Sequence, residues 1–261
     1  MKLNNFDKTI LVIGCGNMGS AIIKGWLNAG LSTRQLTIVE PNGHPTLPTM
    51  ASLSEVNKKY DYIFLGIKPQ IAEDIISQIN IDCSESIIIS ILAGKTISFF
   101  SNLINAKQIV RVMPNLPAII GQGCCGYYSD QDIDNNTANL ISIIGTPAIK
   151  VEKEDAIDSI TALSGSGPAY MFLILEAMID KAVNIGISAN DAKKLAIQTM
   201  IGAAELANNS ELDISTLRQN VTSKGGTTAA ALDVLNNESA NLPSLLSKAM
   251  QAAYERSKEL S

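Results

Sequence analysis

The sequence contains one histidine and one tryptophan in 261 residues, and aromatic residues make up only 5% of it. With His44 as the single imidazole, a metal site of the usual His/Cys type and a Ser-His-Asp triad both lack the necessary residues. We therefore expect no bound metal. His44 itself lies in a proline-rich stretch, which is typical of a surface loop.

Cysteine is also scarce, and its spacing argues against disulfides. Cys15, Cys83, Cys124 and Cys125 form no CxxC pair and do not reach the cysteine density of a small secreted domain. Reduced thiols are expected. Because the first ten residues contain no long apolar run, we also expect no secretory signal and a cytoplasmic location.

The chain lacks both an excess of positive charge and a long uninterrupted apolar run. A net charge of −5 argues against a nucleic-acid surface, which needs clustered Lys and Arg. The most apolar stretches, residues 87–92 and 171–179, are interrupted by Ser90 and Glu176 and fall short of the roughly 20 residues that span a bilayer. We expect neither a nucleic-acid partner nor a membrane span.

The length predicts two domains, which we place at residues 1–150 and 151–261. In the first, short aliphatic runs alternate with helix-like segments, a pattern typical of an α/β domain with a parallel sheet. A predicted helix at residues 18–29 follows the first strand and makes a β-α-β unit. The predicted strands are residues 9–13, 36–39, 62–67, 87–91 and 108–112.

After Thr146-Pro147 the strand pattern fades, and the second domain is predicted to be all α. Start signals support its helices, among them Ser188 and Asp213 as caps. The segment 169–185 is apolar around most of its circumference, which favours burial against a second subunit; a compact monomeric bundle is the alternative. The predicted helices are residues 154–163, 168–185, 189–208, 214–219, 227–236 and 242–260, with Pro168 and Pro243 near two of the starts.

A GxGxxG string follows the first predicted strand and opens the first predicted helix. Gly14 allows a tight turn, Gly16 lets the backbone approach a pyrophosphate, and Gly19 lets the helix lie close to the sheet. A glycine-rich turn without a ligand is the alternative, but the strand before and the helix after favour dinucleotide binding. The full string is Gly14, Cys15, Gly16, Asn17, Met18 and Gly19.

Glu40 ends the second strand, where an acidic side chain accepts hydrogen bonds from the adenosine ribose and repels a 2′-phosphate. This position favours NADH over NADPH, unless the side chain simply points into solvent. Pro41, Pro45 and Pro48 follow and remove helical amide donors. We therefore expect no helix after Glu40 and modest cofactor affinity.

Three later strand ends are expected to face one crevice, because open α/β sheets bind ligands at the carboxyl ends of their strands. They are residues 66–69 with Ile67, Lys68 and Pro69, residues 90–94 with Ala93, and residues 113–117. In the second domain, residues 164–170 and 223–228 are Gly-rich helix starts whose amides can hold a carboxylate. Helix caps without a ligand are the alternative for either segment, and a solvent-exposed lysine is the alternative for Lys68.

Together these segments, with residues 111–117 and 220–228, resemble the pyrroline-5-carboxylate reductase family in order and across nearly the whole chain. The resemblance implies a Rossmann domain followed by a helical dimerisation domain, a homodimer or higher homo-oligomer, and reduction of 1-pyrroline-5-carboxylate to L-proline by NADPH or NADH. It places the cofactor at residues 15–18, Glu40, Lys68 and Ala93. It places the small cyclic imino acid, partly across a dimer interface, at Glu154, Asn220, Thr227 and Thr228, and the adjacent Ser223, Gly225 and Gly226 join this predicted site.

The chain departs from the family pattern in two places. Lys224 stands where the family usually has proline, which loosens the loop and adds a cation near the carboxylate. The second departure is the shortened segment after Glu40, which leaves the choice of cofactor more open than the choice of substrate.

A protonated C=N carbon accepts a hydride readily, so the enzyme needs chiefly to orient its ligands and requires no strong acid. Thr228 is the predicted catalytic residue, as a hydrogen-bond partner of the ring nitrogen. Two alternatives stay open. One is a 3-hydroxyacid dehydrogenase of similar build, for which Lys181 is a poorly placed base; the other is a non-catalytic dinucleotide sensor. The preferred cofactor, the number of subunits and a related imine as the true substrate are not decided by the sequence.

Overall fold

The computed structural model describes residues 2–3, 5–237 and 241–260; residues 1, 4, 238–240 and 261, which the predicted domain bounds include, lie outside that part. The chain divides into two compact units. The first comprises Met1–Pro168 with Ala253–Ser261, and the second comprises Ala169–Ala252.

A seven-stranded sheet forms the centre of the first unit, in the order β2-β1-β3-β4-β5-β6-β7. The strands are β1 (Ile10–Ile13), β2 (Leu36–Val39), β3 (Tyr62–Leu65), β4 (Ile87–Ser90), β5 (Gln108–Pro114), β6 (Cys125–Tyr128) and β7 (Ala148–Lys150). The first five are parallel to one another, as predicted, and their predicted positions are confirmed to within a few residues.

The last two strands were not predicted. β6 runs antiparallel to β5, and β7 is parallel to β6. The expectation that strand structure ends at Thr146-Pro147 is therefore wrong. Neither strand has a strong local pattern, because β6 follows a glycine-rich run and two of the three residues of β7 are exposed. Pairing with the edge of the existing sheet determines both.

Helices cover both faces of this sheet. Alternate strand residues such as Val12 and Leu11 belong to different apolar clusters, as expected for a period of two residues. α1 (Asn17–Asn28) and α4 (Asn135–Ile144) pack on one face, and the shorter α2 (Ala72–Ile76) and α3 (Ile97–Leu103) pack on the other. Trp26 of α1 is fully buried and donates a hydrogen bond from Nε1 to the Leu140 carbonyl.

The segment after Glu40 forms no α-helix within the described residues 40–61, as the prolines predicted; a 3₁₀ turn at Leu53–Glu55 is its nearest equivalent. His44 lies in this loop, as predicted. Its Nδ1 accepts hydrogen bonds from the amides of Thr46 and Leu47, so the single histidine supports the loop that borders the sheet.

The remaining helices confirm the predicted helical half closely. They are α5 (Ala156–Ile160), followed by a π-helical turn at Thr161–Gly165, then α6 (Gly167–Asn184), α7 (Ala189–Asn208), α8 (Ile214–Asn220), α9 (Thr227–Asn237) and α10 (Leu242–Glu259). Ser188 and Asp213 cap α7 and α8, as predicted. α5 contacts β5 and β6, so the first unit extends to Pro168, whereas the sequence pattern placed a domain boundary after residue 150.

The second unit exposes an unusual amount of apolar surface. Among its described residues, 169–237 and 241–252, only Ala192 and Ala196 are buried, whereas side chains as large as Phe172 and Leu173 are more than half exposed. The helical run Ala156–Asn184 is also long and apolar enough, by length and composition alone, to span a bilayer. It is longer than the apolar windows recognised in the sequence.

A buried ion pair joins three parts of the first unit. Arg111 of β5 is 4% exposed and donates from Nη1 to Glu154 Oε1 at 2.8 Å. The same carboxylate oxygen accepts the amide of Ile97 at the start of α3. The Nε and Nη2 atoms of Arg111 have no hydrogen-bond partner within the described residues. Glu154 is therefore the counter-charge on which a buried guanidinium depends.

Glu154→Ala is expected to lower the free energy of unfolding by about 3–5 kcal/mol, because it leaves the Arg111 charge buried and unpaired. Urea denaturation followed by circular dichroism measures the change. Glu152→Ala, an exposed neighbour, is the matched control and is expected to change stability by less than about 0.5 kcal/mol. Replacing both Arg111 and Glu154 by leucine should recover much of the loss; equal stability of Glu154→Ala and the wild type would contradict this interpretation.

Candidate functional site

Two of the three loop glycines have the geometric roles that the sequence predicted. Gly14 turns the chain after β1 with φ of +89°, a conformation that L side chains rarely adopt. A Cβ atom on Gly19 would lie 2.8 Å from the Gly14 carbonyl oxygen. The start of α1 can therefore approach the sheet only because residue 19 has no side chain.

Gly16 leaves open space at the start of α1. It is the N-cap residue, provides no side-chain cap, and an added Cβ would meet no atom within 4 Å. The first amides of a helix have no intrahelical partners and carry the positive end of the helix dipole. The loop therefore offers an accessible set of amide donors to an anion such as a pyrophosphate.

A cavity of about 660 Å³ lies beside this loop, at the carboxyl ends of β1, β2 and β3. It brings together six of the residues predicted to bind the cofactor: Gly14, Cys15, Gly16, Glu40, Ile67 and Lys68. The volume is in the range of small-molecule and cofactor sites. The fit of a dinucleotide thus rests on the size of the cavity and on the uncapped helix beside it.

Glu40 points into this site and not away from it. Its Oε2 accepts the amide of Cys15 at 2.9 Å, and its Oε1 accepts the amide of Asn42 at 3.2 Å. The carboxylate therefore lies between the phosphate loop and the segment after β2. A ligand that enters the cavity meets a fixed negative charge at the end of β2.

Cys15 is a nearly buried thiol in the same cavity. Burial raises its pKa, a hydrogen bond with Ser20 acts in the opposite direction, and the charge of Glu40 raises the pKa further. Ser20 also donates to the Cys15 carbonyl at 2.8 Å. The side chain consequently stays a neutral thiol near the place where an anionic ligand would lie.

Several residues that line the cavity were missed by the sequence analysis. They include Asn42, Gly43, Ser52, Leu53 and Gln78. An Asn-Gly dipeptide directly after Glu40 is a recognisable turn signal and could have identified the first two. The others come from distant segments, and nothing in their local sequence indicates the cavity.

The other predicted cofactor residues are not among those that line this cavity. Asn17 borders a second cavity of about 570 Å³ together with Lys24 and His44, and Met18 packs against the core. Pro69 begins a 3₁₀ turn at Pro69–Ile71. Ala93 lies in the turn between β4 and α3.

The residues predicted to bind the substrate fall into two groups. Glu154 lies in the first unit, where Arg111 and Ile97 engage its carboxylate. The others belong to the second unit and lie within one short segment that runs from the last residue of α8 to the first turn of α9. They are Asn220, Ser223, Gly225, Gly226, Thr227 and Thr228.

That segment forms a tight turn before α9. The amide of Gly226 donates to the Ser223 carbonyl at 3.0 Å, and Gly225 has φ of +73°. These features define a type II turn with Lys224 at its second position, where proline is favoured. A Cβ atom on Gly226 would collide with the Ser223 hydroxyl oxygen. The turn thus presents Thr227 and Thr228 at the start of an eleven-residue helix.

The two halves of the chain match two families. Residues 154–260 match the pyrroline-5-carboxylate reductase dimerisation family, and residues 9–94 match the family of coenzyme F420-dependent NADP oxidoreductases. The pyrroline-5-carboxylate reductase of Haemophilus influenzae is 38% identical over 97% of both chains. That of Pseudomonas aeruginosa is 34% identical over 96% of both.

Solved structures agree with these matches. The Plasmodium falciparum pyrroline carboxylate reductase with NADP bound has a TM-score of 0.88 at 31% identity, covering 97% of this chain and 98% of that one. The Coxiella burnetii pyrroline-5-carboxylate reductase has a TM-score of 0.85 at 33% identity with the same coverage. The fold class inferred from the sequence is confirmed, and this chain belongs to the pyrroline-5-carboxylate reductase family.

Proposed function

We propose that this chain reduces 1-pyrroline-5-carboxylate to L-proline with a reduced nicotinamide dinucleotide, the last step of proline biosynthesis. The observation that carries the proposal is the uncapped amino terminus of α1 beside a cavity of cofactor size, in a chain of this family. The dinucleotide, when bound, supplies the hydride.

The first unit holds the cofactor. The backbone at Gly16 and the first amides of α1 bind the pyrophosphate, and Lys68 faces a phosphate or a ribose from the turn after β3. Glu40 accepts hydrogen bonds from the adenosine ribose. Ala93, after β4, is small enough to let a flat ring approach. Gly14, Cys15, Asn17, Met18, Gly19, Ile67 and Pro69 complete the proposed cofactor site.

The second unit holds the imino acid. The amides of Gly225, Thr227 and Thr228 bind its carboxylate at the positive end of the α9 dipole. The Thr228 hydroxyl, which is half-buried, donates a hydrogen bond to or accepts one from the ring nitrogen. Asn220, Ser223, Gly225, Gly226 and Thr227 complete the site, and exposed Lys224 adds positive charge to it. Glu154 supports Arg111 and also lines a separate cavity, and we keep it as a proposed contact of the substrate.

Subunit association accounts for the apolar surface of the second unit. A residue such as Phe172 is exposed in the single chain, and the match to a dimerisation family covers this region. Exposed apolar patches of this kind mark interaction surfaces. The same burial explains the apolar run Ala156–Asn184, and we propose a cytoplasmic homo-oligomer.

The proposed reaction is tested by following NADH and NADPH consumption with racemic pyrroline-5-carboxylate. Turnover with this imine and none with 3-hydroxyacids supports the proposal. Lys181 lies in the last turn of α6, far from the helix start where a hydroxyacid dehydrogenase needs its base, so the converse result is not expected. Cofactor binding without turnover of the imine would instead support a dinucleotide sensor.

Thr228→Ala is expected to reduce kcat/KM by about 10- to 1000-fold, because one hydrogen bond that strengthens in the transition state is lost. Steady-state kinetics with saturating cofactor measures this loss. Thr199→Ala, which removes an exposed hydroxyl from α7, is the matched control and should retain wild-type turnover. Unchanged turnover in Thr228→Ala would remove Thr228 from the mechanism.

Glu40 is expected to make the wild type prefer NADH, since its carboxylate repels a 2′-phosphate. Glu40→Gln keeps an acceptor for the Cys15 amide but removes the charge, and should raise kcat/KM for NADPH by about tenfold. Glu85→Gln, a change of the same kind at an exposed residue outside the cavity, should leave both values unaltered. A wild-type enzyme that strongly prefers NADPH would overturn the assignment.

A further inference from the structure

The end of the chain belongs to the dinucleotide-binding unit. Helix α10 begins at Leu242, but Ala253–Ser261 group with the first unit and not with the second. The last turn of α10 therefore packs against residues that precede it by about a hundred positions, of which Asp158 is one. Two specific contacts hold it there.

The first contact is a buried hydrogen bond. Ser257 of α10 donates from its hydroxyl to Asp158 Oδ1 of α5 at 2.5 Å. Ser257 is 3% exposed and Asp158 is 6% exposed. Because a buried carboxylate needs a donor, this bond fixes the rotation of α10 about its axis at its last turn.

The second contact is between two stretches of backbone. Gly94 has φ of +73°, and a Cβ atom on it would lie 2.5 to 2.7 Å from the Cβ, carbonyl carbon and carbonyl oxygen of Leu260. Leu260 can therefore rest directly on this turn only because residue 94 is glycine. Gly94 follows Ala93 in the turn between β4 and α3.

The far side of the same turn is also held. Thr96 caps α3 by accepting the amide of Phe99, and the Ile97 amide donates to Glu154. The turn is thus fixed at its helical end by Glu154 and covered at Gly94 by Leu260. A loop that is already ordered loses less conformational entropy when a ligand binds to it.

We propose that Leu260 and Ser257 are positioning residues for the nicotinamide dinucleotide: they hold the β4–α3 turn so that Ala93 is in place before the cofactor binds. This inference rests on the proposed function, because it takes Ala93 as a cofactor contact. Neither residue touches the cofactor. Leu260 acts through Gly94, and Ser257 acts by holding the last turn of α10, directly before Leu260.

A double-mutant cycle between Gly94 and the chain end tests the proposal. A chain that ends at Glu259 and the variant Gly94→Ala should each weaken NADH and NADPH binding by about fivefold in titration calorimetry. The KM for the dinucleotide should rise equally, with kcat and the KM for the imine within twofold. Combined, the two changes should again give about fivefold and not about 25-fold, because the methyl group added by Gly94→Ala meets no Leu260 in the shortened chain.

Two control substitutions separate this effect from backbone strain and general stability. Gly121 has φ of +71° but open space around its missing Cβ, so Gly121→Ala carries the strain without the collision and should bind the dinucleotide as the wild type does. Ser257→Ala should weaken binding by about twofold to threefold, and Ser247→Ala, at an exposed serine of the same helix, should not.

The outcomes are distinct. Lower melting temperatures with unchanged dinucleotide affinity in both the shortened chain and Gly94→Ala would show a purely structural contact and overturn the inference. A loss of affinity in the combined variant equal to the product of the two single losses, about 25-fold, would overturn it as well. Failure of the wild type to reduce the imine would refute the proposed function. The calorimetric double-mutant cycle would still show whether Leu260 affects dinucleotide binding.

Discussion

The carbonyl oxygen of Gly14 lies so close to two other glycines that a side chain on either would collide with it. A Cβ on Gly19 would lie 2.8 Å from it, and a Cβ on Gly66 would lie 2.9 Å from it. The end of β1, the start of α1 and the turn after β3 therefore converge on one atom. This convergence puts uncapped helical amides, Glu40 and Lys68 around a single cavity, and the proposed cofactor chemistry depends on it.

The buried charge of Arg111, on β5, has a comparable role. Arg111 would be costly to bury alone, and Glu154 makes that burial possible while also capping the start of α3. Leu260 completes the support from the chain end. The turn that carries Ala93 is consequently fixed by two distant residues. Glu154 lies 57 positions after Ile97, and Leu260 lies 166 positions after Gly94.

The two units bury their apolar residues in different ways. The first unit has a complete aliphatic core on both faces of its sheet. Among the described residues of the second unit only Ala192 and Ala196 are buried, so association with a partner would remove apolar side chains from water. The first unit thus buries its apolar core within the single chain, whereas the second unit leaves apolar surface for association. This difference fits a family whose second region is a dimerisation domain.

Local signals in the sequence determined the phosphate loop, the five parallel strands, the capped helices and the absence of a helix after Glu40. In each case the deciding interactions lie within a few residues: a glycine turn, a Ser188 or Asp213 cap, a proline without an amide. Only the tertiary structure decided that β6 and β7 extend the sheet, that Glu154 pairs with Arg111, and that Leu260 rests on Gly94. These features depend on contacts between segments that are far apart in the sequence. The local sequence around a residue does not indicate which distant buried charge or backbone atom will contact it.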